Sequence, residues 1–244
     1  MKATLFEFRN RRWFIYAIFI LAFEFSWIDR YQAGETAARF LALHFWQVSL
    51  DAWTHAVFIF AALMMVLSAA LRSWGTAYLQ TAVMQARSVH TERLLGDGPF
   101  RHVRNPLYLG NLFMAVGVGA VASRMGFVLL FVAMFVFHYR LILREEEELS
   151  ATQGESYREY CARVPQLWFA IAPRIPPSGN RAHWLNGVLG EMSRWAAAIG
   201  AMVYAYTFNI KIYSAIFVLS LPPEIWYRFR EARKRPQQQT GPVR

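Results

Sequence analysis

Two stretches of this sequence concentrate side chains that could do chemistry. The first is Gly96-Asp97-Gly98-Pro99-Phe100-Arg101-His102-Val103-Arg104-Asn105-Pro106-Leu107-Tyr108-Leu109-Gly110-Asn111, a polar segment that runs into apolar residues. Gly96 and Gly98 permit backbone that a side chain forbids, and Pro99 and Pro106 fix φ and remove donors. Asn105-Pro106 reads as a helix start, an N-cap side chain followed by proline in the first turn. Free N–H groups at such a start, with Arg101 and Arg104 beside them, would attract an anion. The second stretch is Glu145-Glu146-Glu147-Glu148, preceded by Arg140 and Arg144. Brought together, the two make a site for a zwitterionic ligand, with carboxylates for its cation and arginines and N–H groups for its anion. Each also has a plainer reading: a positive-inside juxtamembrane loop, and a solvated charge run that the loop arginines neutralise.

The elements that must position these residues are apolar. Of 244 residues, 56% are apolar and 16% aromatic, which points to an all-α polytopic membrane bundle of about five to six spans. The net charge is +10, with basic residues lying between apolar runs. That suits anionic lipid and argues against a nucleic-acid partner, whose binder would line its cations along one solvated face. The single cysteine, Cys161, excludes internal disulfides and thiolate clusters, and six scattered histidines give no metal pair, so no metal is expected. The sequence has no phosphate-binding P-loop, dinucleotide fingerprint or serine-nucleophile motif.

A first span is expected over 13–28, as a retained anchor interrupted by Glu24, with Lys2, Arg9, Arg11 and Arg12 holding the amino terminus in the cytoplasm. An interfacial helix over 40–50 and a second span over 52–71 follow, then a separate amphipathic helix over 75–95 at headgroup level. A third span, 106–122, carries a small-residue face at Ala115, Gly119 and Ser123. A tight turn at Ser123-Arg124 sends a fourth span, 125–143, back antiparallel, so the acidic run returns to the face of the glycine-rich loop. Carboxylates at a helix C-terminus are disfavoured, so something must offset them. A short polar helix is expected over 155–165, and 168–175 either lies on the bilayer or caps a site. The clearest linker is 173–180. Residues 184–226 form one tilted helix or, keeping the basic tail cytoplasmic, a hairpin turning near 209–211. The expected units are a core over 1–175, a C-terminal helix or hairpin over 176–235 and a disordered tail over 236–244.

Gly98-Pro99-Phe100, Arg104-Asn105-Pro106-Leu107-Tyr108-Leu109-Gly110, Glu145-Glu146, Leu149, Gly154, Tyr157, Tyr160 and Val164-Pro165 occur in that order, with a helical hairpin between the two charged stretches. In this, residues 85–165 resemble the isoprenylcysteine carboxyl methyltransferase / phospholipid methyltransferase superfamily of integral membrane enzymes. The resemblance implies S-adenosylmethionine bound at the cytoplasmic membrane face and a lipid or lipid-modified acceptor. It implies a cofactor pocket lined by Gln85, Glu92, Leu94, Leu95, Phe100, Arg104, Asn105, Pro106, Leu107, Tyr108 and Glu145, with Arg140 or Arg144 approaching the acceptor. Two positions depart from the family, which usually has histidine where this chain has Asn105 and tyrosine where it has Phe100. Asparagine keeps a hydrogen-bonding group but cannot titrate, which excludes a proton role there.

A sulfonium methyl is already activated, so a protein need only align the nucleophile and exclude water. A carboxylate acceptor needs no base and would pair with an arginine. An amine acceptor must lose a proton, which Glu146 or a neighbour could take. Two other readings stand beside this one: a nicotinamide-dependent membrane reductase of sterol-reductase type, and a non-catalytic scaffold.

Overall fold

The computed structural model describes residues 2–89 and 96–237, without the side chains of 80–89, 224, 228 and 231–237. Among the described residues every extended element is a helix, and the single β-bridge joins Gln32 to Ser123. Helix α1 (Leu5–Arg9) starts from a capping box: Thr4 accepts from the Glu7 amide, and Glu7 accepts from the Thr4 amide. Helix α2 (Arg11–Glu24) is shorter than the span expected over 13–28 and ends in a 3-10 turn, Phe25–Trp27, leaving Glu24 exposed at its last residue. Helix α3 (Ala33–His44) lies upstream of the expected interfacial helix. The Ala33 and Gly34 amides donate to the carbonyls of Ala122 and Ala120, and that tether sets where the helix begins.

Helix α4 (Leu50–Val89) replaces two expected elements with one of 40 residues, about 60 Å long. The break anticipated after residue 71 is absent because 73–77 remain in the core. Ser73 and Ala77 are buried, and Gly75 packs against Leu107, where a Cβ would lie 3.0 Å from Cδ2. Residues 90–95, the end of the expected amphipathic helix, fall outside the described residues.

Helices α5 (Pro106–Gly119) and α6 (Arg124–Gln153) form the anticipated hairpin, and Ser123 caps α6 by accepting from the Gly126 amide at 3.0 Å. Helix α6 continues past the expected end at 143, so the four glutamates lie within it and not at its C-terminus. After the short α7 (Glu155–Arg163), the C-terminal part holds α8 (Trp184–Gly190), α9 (Met192–Thr207) and α10 (Ile210–Gln237). The chain turns between α9 and α10 at Phe208, φ 49, and Asn209, whose side chain accepts from the Lys211 and Ile212 amides. A hairpin turn near 209–211 is therefore present. The expected disordered tail begins inside α10 at Pro236 and Gln237, and 238–244 are not described.

Small residues let the helices meet. A Cβ on Gly126 would lie 2.2 Å from the Ala22 carbonyl oxygen, and one on Gly117 2.7 Å from that of Ala61. Ala22, Leu112, Ala115, Leu130 and Met134 close the core where α2, α5 and α6 meet. Leu50–Leu79 and α6 are long and apolar enough to cross a bilayer, and α5 is a shorter apolar helix. With Val128, Val132 and Val136 exposed along α6, the bundle is that of an integral membrane protein. At one end Arg124 grips Asp29 through Nη2–Oδ1, 2.9 Å, and Nε–Oδ2, 3.1 Å.

Two outcomes follow. Gly126→Ala forces α2 and α6 apart and lowers stability by about 1–3 kcal/mol, read as a fall in thermal midpoint in detergent. The Arg124 hydrogen bonds pull the Asp29 carboxyl from 3.8 down to about 2. A depressed carboxylate adds stability above its unfolded value and loses it as pH falls through the folded one. Midpoints should therefore drop between about pH 4 and 2, and less steeply in Asp29→Asn.

Candidate active site

The start of α5 is held by a carboxylate on α6. Arg104 forks onto Glu146, Nε–Oε1 3.0 Å and Nη2–Oε2 3.3 Å, and its Nη1 donates to the Cys161 carbonyl at 2.6 Å. Asn105 Nδ2 donates to Glu146 Oε1 at 2.9 Å and to the Gln166 carbonyl at 3.2 Å, while Gln166 Nε2 donates to Glu146 Oε2 at 2.8 Å. The two side chains of the fork are only 12% and 15% exposed, so these bonds act with little solvent screening. The glycine-rich loop and the acidic run thus meet, as the sequence indicated.

The chemistry at the junction differs from expectation in two ways. Asn105 stands at the N-cap position of α5 but its side chain caps nothing, because a charge-assisted bond to Glu146 is the stronger partner. The amides of Leu107 and Tyr108 are therefore left without a side-chain cap. Glu146, a candidate proton acceptor, takes four hydrogen bonds and works as a clamp.

Beside this clamp, Tyr108 Oη donates to Glu145 Oε1 at 2.8 Å, and among the described residues no other group donates to that carboxylate. Glu145, Tyr108 and the uncapped turn therefore form a half-buried acidic and N–H-rich pair of surfaces. Phe100 and Pro106 are buried, and the Phe100 carbonyl accepts from Tyr160 Oη at 2.8 Å. Gly98, φ +58, lies under the Tyr78 ring, where a Cβ would come within 2.3 Å. The side chain of Gln85 and the whole of Glu92, Leu94 and Leu95 lie outside the described residues.

Arg140 and Arg144 are taken up by the amino-terminal segment. Arg140 Nη2 donates to Glu7 Oε2 at 2.9 Å, and Arg144 Nη1 donates to the Ala3 carbonyl at 3.1 Å and its Nε to Glu148 at 3.0 Å. The Ala3 amide donates to the Arg140 carbonyl, and Lys2 pairs with Glu147. Hydrogen bonds from Thr4, with Arg140 beside it, hold the Glu7 carboxyl below its usual range.

The segment expected to lie on the bilayer or cap a site packs on the glycine-rich loop. The Ala170 amide donates to the His102 carbonyl, the Arg174 amide to that of Arg101, and Phe169 stacks on His102 with centroids 5.0 Å apart. Sequence reasoning missed Gln166 and a second fork, Arg72 onto Glu191, Nε–Oε2 2.9 Å and Nη2–Oε1 3.0 Å. The signal was an arginine within an apolar helix, which marks a buried partner.

The fold is that of a membrane-embedded helical bundle, and it is the sequence match that points to the methyltransferase class. Residues 41–155, which hold α5, α6 and both Glu145 and Glu146, match the phospholipid methyltransferase family (PEMT), and over that stretch the chain is similar to the isoprenylcysteine/phospholipid methyltransferase superfamily. It is similar to the cobalt-zinc-cadmium resistance protein CzcN of Cupriavidus metallidurans, 28% identical over 91 residues, 37% of this chain and 40% of that protein. It is also similar to the nickel-cobalt-cadmium resistance protein NccN of Alcaligenes xylosoxydans xylosoxydans, 25% identical over 126 residues, 51% of this chain and 54% of that protein. The match thus spans about half or less of either relative. No solved structure matches the chain.

Glu146→Ala leaves Arg104 buried without its counter-charge and should cost about 3–5 kcal/mol. Thermal unfolding in detergent reads this, and Glu146→Gln, which keeps part of the hydrogen bonding, should lose less.

Proposed function

We propose that the protein is a multi-pass methyltransferase that uses S-adenosylmethionine at the cytoplasmic membrane face, on a lipid-embedded or amphiphilic acceptor. The observation that carries this reading is the pairing of Glu145 and Tyr108 with the uncapped first turn of α5, inside the matched stretch. The donor set suits the cofactor: Glu145 offers an oxygen to an ammonium, and the Leu107 and Tyr108 amides face a carboxylate with the positive end of the helix behind them. When bound, the cofactor supplies a sulfonium methyl that needs no further activation.

The chain's part is placement. Arg104 and Glu146 fix the helix start, Tyr108 orients Glu145, and the 168–175 segment covers the loop and keeps water from it. A carboxylate acceptor would have to draw Arg140 or Arg144 away from Glu7 and Ala3, whereas an amine acceptor would have to lose its proton to a group other than the saturated Glu146. Positive charge at Lys2, Arg9, Arg11 and Arg12 supports a cytoplasmic polar end.

Calorimetric titration of the purified protein with S-adenosylmethionine tests the cofactor. Saturable binding is expected, weakened about tenfold or more by Glu145→Gln and by Tyr108→Ala, since each removes a charged hydrogen bond. No binding in lipid nanodiscs would falsify the reading. Transfer of labelled methyl to membrane lipid then identifies the acceptor. Both curated relatives are named for metal resistance, so the lipid is taken from cells grown with and without added cobalt or cadmium.

A further inference from the structure

A second polar chain lies deeper in the bundle. Arg72 is seven residues before the end of the apolar stretch Leu50–Leu79, about 10 Å below it. Its side chain is 13% exposed. Besides its fork onto Glu191, its Nη1 donates to the Leu107 carbonyl at 3.0 Å and to Asn111 Oδ1 at 2.8 Å. Asn111 Nδ2 in turn lies 2.9 Å from His138 Nε2, and His138 Nδ1 lies 2.6 Å from the Met134 carbonyl. A nitrogen facing a carbonyl carries the proton, so Nε2 is free to accept from the Asn111 amide, and the chain is satisfied from Arg72 to His138. Glu191 also accepts from Thr76 and Arg194.

Gly110 makes this possible. A Cβ there would lie 2.5 Å from Arg72 Cγ, so a side chain would block the path of the arginine stem across α5. A buried ion pair is weak support for stability, because apolar residues of similar volume often serve as well. Apolar residues cannot donate to Leu107 and Asn111. Those two acceptors lie on either side of Tyr108 along the first turns of α5.

We propose that Arg72 is a positioning residue: with Glu191 as its counter-charge, it fixes the depth and rotation of the first turns of α5, and through them Tyr108 and Glu145. The C-terminal helices, beyond the matched stretch, thereby become part of the site's support. The link to Tyr108 and Glu145 as a cofactor surface rests on the function proposed above; the mechanical claim on α5 does not.

The test uses the full chain in nanodiscs, with Arg72→Met/Glu191→Met and, should that pair misfold, Glu191→Gln. Three quantities are read: the thermal midpoint, hydrogen exchange of amides 109–112, and the dissociation constant for S-adenosylmethionine. In the double variant the midpoint should hold, exchange at 109–112 should quicken about tenfold, and cofactor affinity should weaken about tenfold, as losing charged hydrogen bonds implies. Glu191→Gln should shift exchange and affinity the same way by less. Unchanged exchange at 109–112 overturns the proposal. So does faster exchange spread over the whole chain with a falling midpoint, which would mark a general structural role. If the wild-type protein binds no S-adenosylmethionine, the function proposed above fails, and the exchange contrast alone decides the role of Arg72.

Discussion

Glu146 accepts hydrogen bonds from Arg104, Asn105 and Gln166 at once. The donors come from the end of the glycine-rich loop, the cap position of α5 and the strand of chain after α7, while the carboxylate itself rides on α6. Three separate stretches of backbone therefore meet at two oxygen atoms. Few waters compete for those atoms, so each bond is strong and each loss is expensive. Among the described residues the adjacent glutamate is left with one phenolic donor, and the neighbouring helix start is left without a side-chain cap. What the clamp takes for itself determines what remains open beside it.

Elsewhere the bundle is fastened by charge at its ends and by small residues between them. Asp29 and Arg124 join the α2–α3 connection to the α5–α6 turn. At the other end, Lys2, Ala3 and Glu7 bind the far side of α6 through Glu147, Arg144 and Arg140. Between these ends glycines bring backbones into contact, which suits an environment where apolar surface gains little by leaving lipid.

Features written in local backbone chemistry were legible from the sequence. Asn105-Pro106 starts a helix, Ser123-Arg124 turns the chain into the next, and Asn209 turns the last pair, because cap and turn residues act over three or four positions. The meeting of Arg104 with the acidic run was legible too, since a tight hairpin returns the chain to the same face. The unbroken α4 was not. Glycine at 75 and the polar residues after it mark an end by propensity, and tertiary packing of Ser73 and Ala77 overrides that preference. Arg72 and Glu191 are 119 positions apart, and no periodicity names a partner at that distance. The side chain of Asn105 was misjudged for the same reason: a cap is a local inference, and its competitor came from α6.

The length of α6 has a further consequence. From Arg124, at the end pinned to Asp29, the helix climbs about 32 Å to Glu145, close to the roughly 30 Å of hydrocarbon in a bilayer. The apolar stretch between them works as a ruler with a phase. It sets how high the carboxylates stand and the compass direction in which they point. One residue added there would raise them by about 1.5 Å and swing them by about 100°, turning Glu145 from Tyr108 and Glu146 from Arg104 together. Substitutions at its exposed positions, such as Val128, Val132 and Val136, change only what lipid touches, but its residue count is shared by both ends of the molecule.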